Sequence, residues 1–94
     1  MKKAVVLDPR DNVATVLEDV SVGEEVSYQI ENETKAIKAL ENIPRGHKIA
    51  LRDISRGNYV VKYGFPIGCA TKNILKGEHV HVHNVSSLRT RKEE

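Results

Sequence analysis

Apolar positions along this chain fall in short runs separated by residues that favour turns, a pattern that predicts strands rather than helices. Ala4, Val5, Val6 and Leu7 form one run, closed by Asp8-Pro9. It predicts a buried strand over residues 4–7. Asp11-Asn12 marks a turn, and a second strand is expected over residues 13–17. Val26, Tyr28 and Ile30 alternate with polar neighbours, as on a strand with one face buried. Residues 34–40 fit either a two-turn helix, with Ala36, Ile37, Ala39 and Leu40 on one face, or a strand. The strand is the better reading, because so short a helix is marginal in water.

One device recurs. The pattern apolar-x-x-Gly-x-x-apolar appears four times, as Val20-Gly23-Val26, Ile43-Gly46-Ile49, Ile54-Gly57-Val60 and Ile74-Gly77-Val80. A glycine midway between two apolar positions predicts a tight turn feeding a strand, since glycine enters positive φ without steric cost. The spacing between instances is uneven, which excludes a solenoid. The expected architecture is a compact, single-domain all-β fold over residues 1–85, with a polar tail over residues 86–94.

Composition narrows the function. At 94 residues there is room for one domain. With no Trp, one Phe and three Tyr, the core must rest on aliphatic side chains, and a core that small often leans on a partner. The net charge of +2 is spread along the chain, unlike the basic face of a nucleic-acid binder. The single cysteine, Cys69, rules out an intramolecular disulfide and suits a reducing cytoplasm; it reads as a small buried filler. The first apolar run is too short for a signal peptide or a membrane span. No phosphate loop, GxGxxG, paired-cysteine zinc motif or GxSxG is present, which argues against a self-contained hydrolase or nucleotide enzyme.

The sharpest chemical feature is Glu78-His79-Val80-His81-Val82-His83-Asn84. On a strand the three histidines share one face and the two valines take the core face. Adjacent imidazoles then stand roughly 7 Å apart at the backbone, close enough to converge in pairs on one ion. His79 and His83 stand roughly 13 Å apart, so all three could meet one ion only if the strand bends. Acid–base chemistry and anion binding are competing roles, since histidine titrates near pH ~6.5. His47 and Lys48 follow a Pro44-Gly46 turn, where Lys48 could pair with a carboxylate. Lys62 and Tyr63 precede Gly64-Phe65-Pro66-Ile67-Gly68, expected to be a shaped loop. Asn12 reads as a turn residue or a ligand contact.

Four motifs in order, Asp11-Asn12-Val13-Ala14, Ile43-Pro44-Arg45-Gly46-His47-Lys48-Ile49-Ala50, Lys62-Tyr63-Gly64-Phe65-Pro66-Ile67-Gly68 and Gly77-Glu78-His79-Val80-His81-Val82-His83-Asn84, resemble the N-terminal SAF domain of the altronate and galactarate dehydratase family. The resemblance implies a β-clip fold. Larger members carry this domain ahead of a long catalytic region. Small chains like this one resemble the small subunits of split altronate dehydratases and of sulfolactate sulfo-lyase, where sulfite leaves instead of water. The His-x-His-x-His-Asn ending distinguishes the chain from sialic-acid synthases and antifreeze-like proteins, which share the domain.

The resemblance further implies a hydro-lyase eliminating a group β to a carboxylate, inactive without a large catalytic subunit. It implies a divalent metal, iron(II) before manganese or magnesium, held mainly by that subunit. On this reading His81, His83, His47 and Lys48 are the catalytic candidates. Lys62, Tyr63, Asn84 and Asn12 are the substrate-binding candidates, and His79, His81 and His83 the metal ligands. A sugar acid or sulfonated hydroxy acid is the expected substrate, and a non-catalytic acid-binding module is the alternative. Self-association is an expectation for the isolated chain.

Overall fold

A computed structural model describes residues 1–88. It is all-β, with nine short strands and no helix among those residues. They are β1 (Lys2–Val5), β2 (Val13–Val16), β3 (Glu25–Ile30), β4 (Glu33–Lys38), β5 (Lys48–Ala50), β6 (Tyr59–Lys62), β7 (Phe65–Ala70), β8 (His79–Val80) and β9 (Val85–Ser87). Six form one sheet in the order β4-β3-β1-β2-β5-β8, and β6-β7-β9 form a second. The ambiguous stretch is strand β4. It pairs along its whole length with β3, from Glu25–Lys38 to Ile30–Glu33. Only Ile37 of its residues is buried, so its exposed side chains protect a sheet edge from further pairing.

The repeated glycine device is the organising element. Gly23, Gly46, Gly57 and Gly77 have φ of 91, 85, 90 and 92, as required at the third position of a type II turn. The turns close through Glu24 N–H to Ser21 O, His47 N–H to Pro44 O, Asn58 N–H to Ser55 O and Glu78 N–H to Leu75 O. Every apolar flank of the four instances is buried, with none above 3% exposed. The turns work in two pairs, bridged at Val20–Ile43 and Ile54–Ile74.

An Asp or Asn stands before the first apolar residue of each instance and locks its pair reciprocally. Asp19 accepts from Arg45 N at 2.8 Å, and Asn42 accepts from Val22 N at 2.8 Å. In the second pair Asp53 accepts from Lys76 N at 2.8 Å, and Asn73 from Arg56 N at 2.9 Å. Each bond contributes on the order of 1 kcal/mol net. The working unit is therefore one residue longer than the glycine pattern alone.

The core divides into two clusters. One gathers Val16, Val20, Val26, Ile43 and Ile49; the other gathers Val13, Ile54, Val60, Ile74 and Val80. Strand β5 lies between them, sending Ile49 into the first and Ala50 into the second. Its alternation thus gives Lys48 and His47 to opposite faces.

Several expectations need correction. The first strand runs Lys2–Val5, not 4–7. Its pairing with Val16 and Thr15 on one side and Val26 and Ser27 on the other pins it there, and Leu7 is left 68% exposed. Leu17, expected to end the second strand, is also exposed, and β2 stops at Val16. The expected loop at residues 64–68 is mostly strand β7. Only Tyr63 and Gly64, with φ of 56 and 81, lie in the turn, a two-residue hairpin of the primed type. Pro66 is tolerated because β9 pairs only with Gly68, Cys69 and Ala70, leaving that end of β7 open on one side. Cys69 is half-buried rather than a buried filler. Ser86 and Ser87, expected in the tail, pair with Cys69 and Gly68; the rest of the expected tail beyond Leu88 lies outside the described residues.

Candidate functional site

The site begins with the register of β5 against β8. Lys48 pairs with Val80 and Ile49 with His79. The same register carried one step outward sets His47 opposite His81, with His79 diagonal to His47 on the same face. Three imidazoles from two strands are thereby forced onto one rim of the first core cluster. The His47 and His81 rings stack with centroids 3.9 Å apart, and His47 and His79 lie 5.0 Å apart. His47 Nδ1 and His79 Nε2 are hydrogen-bonded at 2.8 Å. One nitrogen of that bond must offer a lone pair, so the His47–His79 pair carries at most one proton more than its neutral form.

The expected three-histidine strand ends early. Strand β8 is only His79–Val80, and residues 81–84 form a turn closed by Asn84 N–H to His81 O at 3.1 Å. Val82 is therefore 82% exposed instead of packing in the core. The cause is Asn84. Its side chain accepts from His81 N at 2.9 Å and donates to His79 O at 2.8 Å, folding the chain back on itself. That turn supplies the bend that straight-strand geometry lacked. It carries the His83 ring back to 5.0 Å from His79.

The electrostatics favour neutral rings. Burial holds His79 below its ordinary value, and the neighbouring His83, His47 and His81 add to this, while Glu41 pulls the other way. Glu41 also accepts from His79 N at 2.8 Å. His81 is lowered by burial, then by His47, Lys48 and His83. Rings kept neutral retain lone pairs for a proton or an ion.

The ring nitrogens of His47, His79 and His81 lie within 4.8 Å of one another. Bonds of about 2.1 Å to one tetrahedral ion would put nitrogens about 3.4 Å apart. The donor set fits a divalent transition metal, provided the stacked rings turn so that their lone pairs converge. His47, expected from sequence as a catalytic candidate but not as a metal ligand, belongs to this set, while His83 stands at its edge against His79.

The remaining candidates separate into two groups. Lys48 is half-buried on the opposite face of β5; burial, then Lys62, lowers it from its ordinary value. The Lys62 ammonium sits 4.9 Å from the Tyr63 ring centroid, at the exposed hairpin tip. Asn12 and Asn84 are buried at 8% and 4%, and their side chains hold backbone. Asn12 donates to Tyr59 O at 3.0 Å and accepts from Val61 N at 2.8 Å, tying β6 to the larger sheet. Its neighbour Asp11, which the motif reading treated only as a turn residue, is 1% exposed and accepts from Gly64 N at 2.8 Å.

Comparison with known proteins assigns the chain a family. Residues 2–88 match the altronate/galactarate dehydratase SAF domain. The chain is 43% identical over 88 residues to an altronate dehydratase of Bacillus subtilis (strain 168), covering 93% of this chain and 17% of that protein. It is 49% identical over 74 residues to an altronate dehydratase of Escherichia coli (strain K12), covering 79% of this chain and 14% of that one. A (2R)-sulfolactate sulfo-lyase subunit alpha of Chromohalobacter salexigens is 39% identical over 88 residues, covering 90% of this chain and 94% of that subunit. The chain thus spans a small fraction of the altronate dehydratases and nearly all of the sulfo-lyase subunit. A match over almost every described residue, across the strands and turns that bring the imidazoles together, places the chain in the altronate/galactarate dehydratase SAF-domain family.

Proposed function

We propose that this chain is the SAF component of a sugar-acid hydro-lyase of the altronate dehydratase kind, acting with a larger catalytic chain and contributing the imidazole cluster to a shared active site. The observation that carries the reading is the meeting of all four histidines of the chain, from the residue before β5 and from β8 with its turn, on one rim. A purely structural rim would not need three mutually stacked imidazoles and a fourth tilted against them, with a ring-to-ring hydrogen bond between two of them.

Elimination β to a carboxylate needs a base for the α-proton and stabilisation of the charge left behind. His81, held neutral, offers one lone pair, and the His47–His79 hydrogen bond leaves one more free on that pair of rings; each such lone pair serves either as base for the proton or as ligand to an ion, not as both. His47, His79 and His81 would hold a divalent ion, iron(II) being the first choice. Bound there, the ion would act as a Lewis acid on substrate oxygen. The lone Cys69 suits a reducing cytoplasm.

A second reading, sulfite elimination from a sulfonated hydroxy acid, is favoured by the match to nearly the full length of a sulfo-lyase subunit. The test is purification of the tagged chain with its companion from the source organism, then assay with iron(II) on altronate and (2R)-sulfolactate. Turnover that needs both chains and is lost in His47→Ala and His81→Ala supports the reading, and the released product chooses between the two reactions. A companion equally active without this chain overturns it.

A further inference from the structure

The far face of the β5–β8 pair carries a second feature that the imidazole cluster does not use. A cleft of about 270 Å³ opens there between the two sheets. Val60, Ile67, Val80, Val82 and Val85 wall it, and Lys48, His81 and Ser87 give it its polar edge. Lys48 reaches it because alternation along β5 turns residue 48 away from His47 and Ile49. Lys62 lies two residues along β6 from the wall residue Val60 and acts on Lys48 by like-charge repulsion. Lys48 acts in the same sense on His81.

No carboxylate among the described residues forms an ion pair with Lys48 or Lys62. A half-buried ammonium under the repulsion of a second cation, walled by valine and isoleucine and with no ion-pair partner among the described residues, is an unbalanced charge in poorly hydrated surroundings. An anion entering the cleft would relieve the repulsion and meet a desolvated donor.

We propose that the Lys48 cleft is an anion subsite for the carboxylate or sulfonate head of a compact organic acid, formed by this chain alone. It is separate from the metal-type cluster, with His81 bordering both. The walls suit the aliphatic carbons next to the acid group, and the volume suits a fragment of a few heavy atoms. The natural identity of that acid rests on the lyase reading; the presence of the subsite does not.

The experiment is an NMR titration of the ¹⁵N-labelled chain in EDTA at constant ionic strength. The probes are lactate, methanesulfonate and the neutral lactamide. The expected result is saturable shifts at the amides of Val80, Val85 and Ser87 with one or both anions, at about millimolar Kd, and none with lactamide. Lys48→Met keeps the aliphatic stem and should weaken binding about tenfold or more. Lys35→Met, at an exposed lysine of β4, should change nothing.

Equal shifts with lactamide, no saturable shifts, or unchanged binding in Lys48→Met would overturn the proposal. If Lys48→Met fails to fold, the lactate–lactamide contrast in the unaltered chain still decides. Neither metal nor companion chain is present in the titration. A null titration beside normal two-chain turnover therefore removes the subsite alone, and saturable binding without turnover removes the lyase reading alone.

Discussion

Two sets of polar side chains in this molecule have opposite fates. Asp19, Asn42, Asp53 and Asn73, with the buried Asn12 and Asn84, spend their side chains on backbone N–H groups of neighbouring segments. The histidines of the rim spend theirs on one another, through stacking and a single ring-to-ring hydrogen bond. A polar group whose partner is backbone is committed to the fold. One whose partner is another titratable ring can exchange that partner for a ligand. The contrast separates scaffold from site without reference to any known activity.

The sharpest test of the scaffold half is a pair of glycine changes in equivalent turns. A Cβ on Gly77 would meet Lys38 O at 2.5 Å, whereas one on Gly46 meets nothing within 4 Å. Gly46→Ala should cost only the positive-φ penalty, about 1–2 kcal/mol. Gly77→Ala should cost about 3 kcal/mol or more, with backbone displacement added to that penalty. Urea denaturation of both proteins measures the difference; equal costs would show that the turns are not differently packed.

Asn12→Ala should come next, at about 2–3 kcal/mol, because Val61 N–H and Tyr59 O lose their partner together. His47→Ala should invert this pattern. Its unfolding free energy should change by less than about 1 kcal/mol. Affinity for iron(II) or zinc, followed by competition with a chromogenic chelator, should fall at least about a hundredfold. A His47 variant as destabilised as the Asn12 one would erase the distinction between the two sets.

The smallest expected effect is on pH. His79 and His81 are held below their ordinary value of 6.5 in the fold. Between the folded and the ordinary value the unfolded chain binds more protons. The metal-free protein should therefore keep its full stability above pH 6.5 and lose some as pH falls through the range below it. His79→Gln should flatten that slope, measured as Tm against pH.

Much of this was legible in the chain. The glycine pattern marked all four turns and their buried flanks, and the marginal stability of a two-turn helix favoured a strand over residues 34–40. The preceding Asp or Asn was overlooked, although it sits at a fixed offset, because its partner lies about twenty residues away in the paired turn. Local periodicity cannot reveal such a distant acceptor. The same limit explains His47. Nothing near it in sequence announces the other imidazoles; only the β5–β8 register does. The histidine strand was overextended because Asn84, read as a ligand contact, instead caps a turn that reverses the chain after Val80.

That register also has a consequence in time. His47 and His79 are separated by 32 residues. At synthesis rates of about 5–20 residues per second, His47 waits roughly 2–6 s on the ribosome before its partners exist. Throughout that interval the emerging chain offers an ion one isolated imidazole, too weak a hold to trap whichever metal is most abundant. A metal bound by the cluster would thus be chosen only after the sheet has closed.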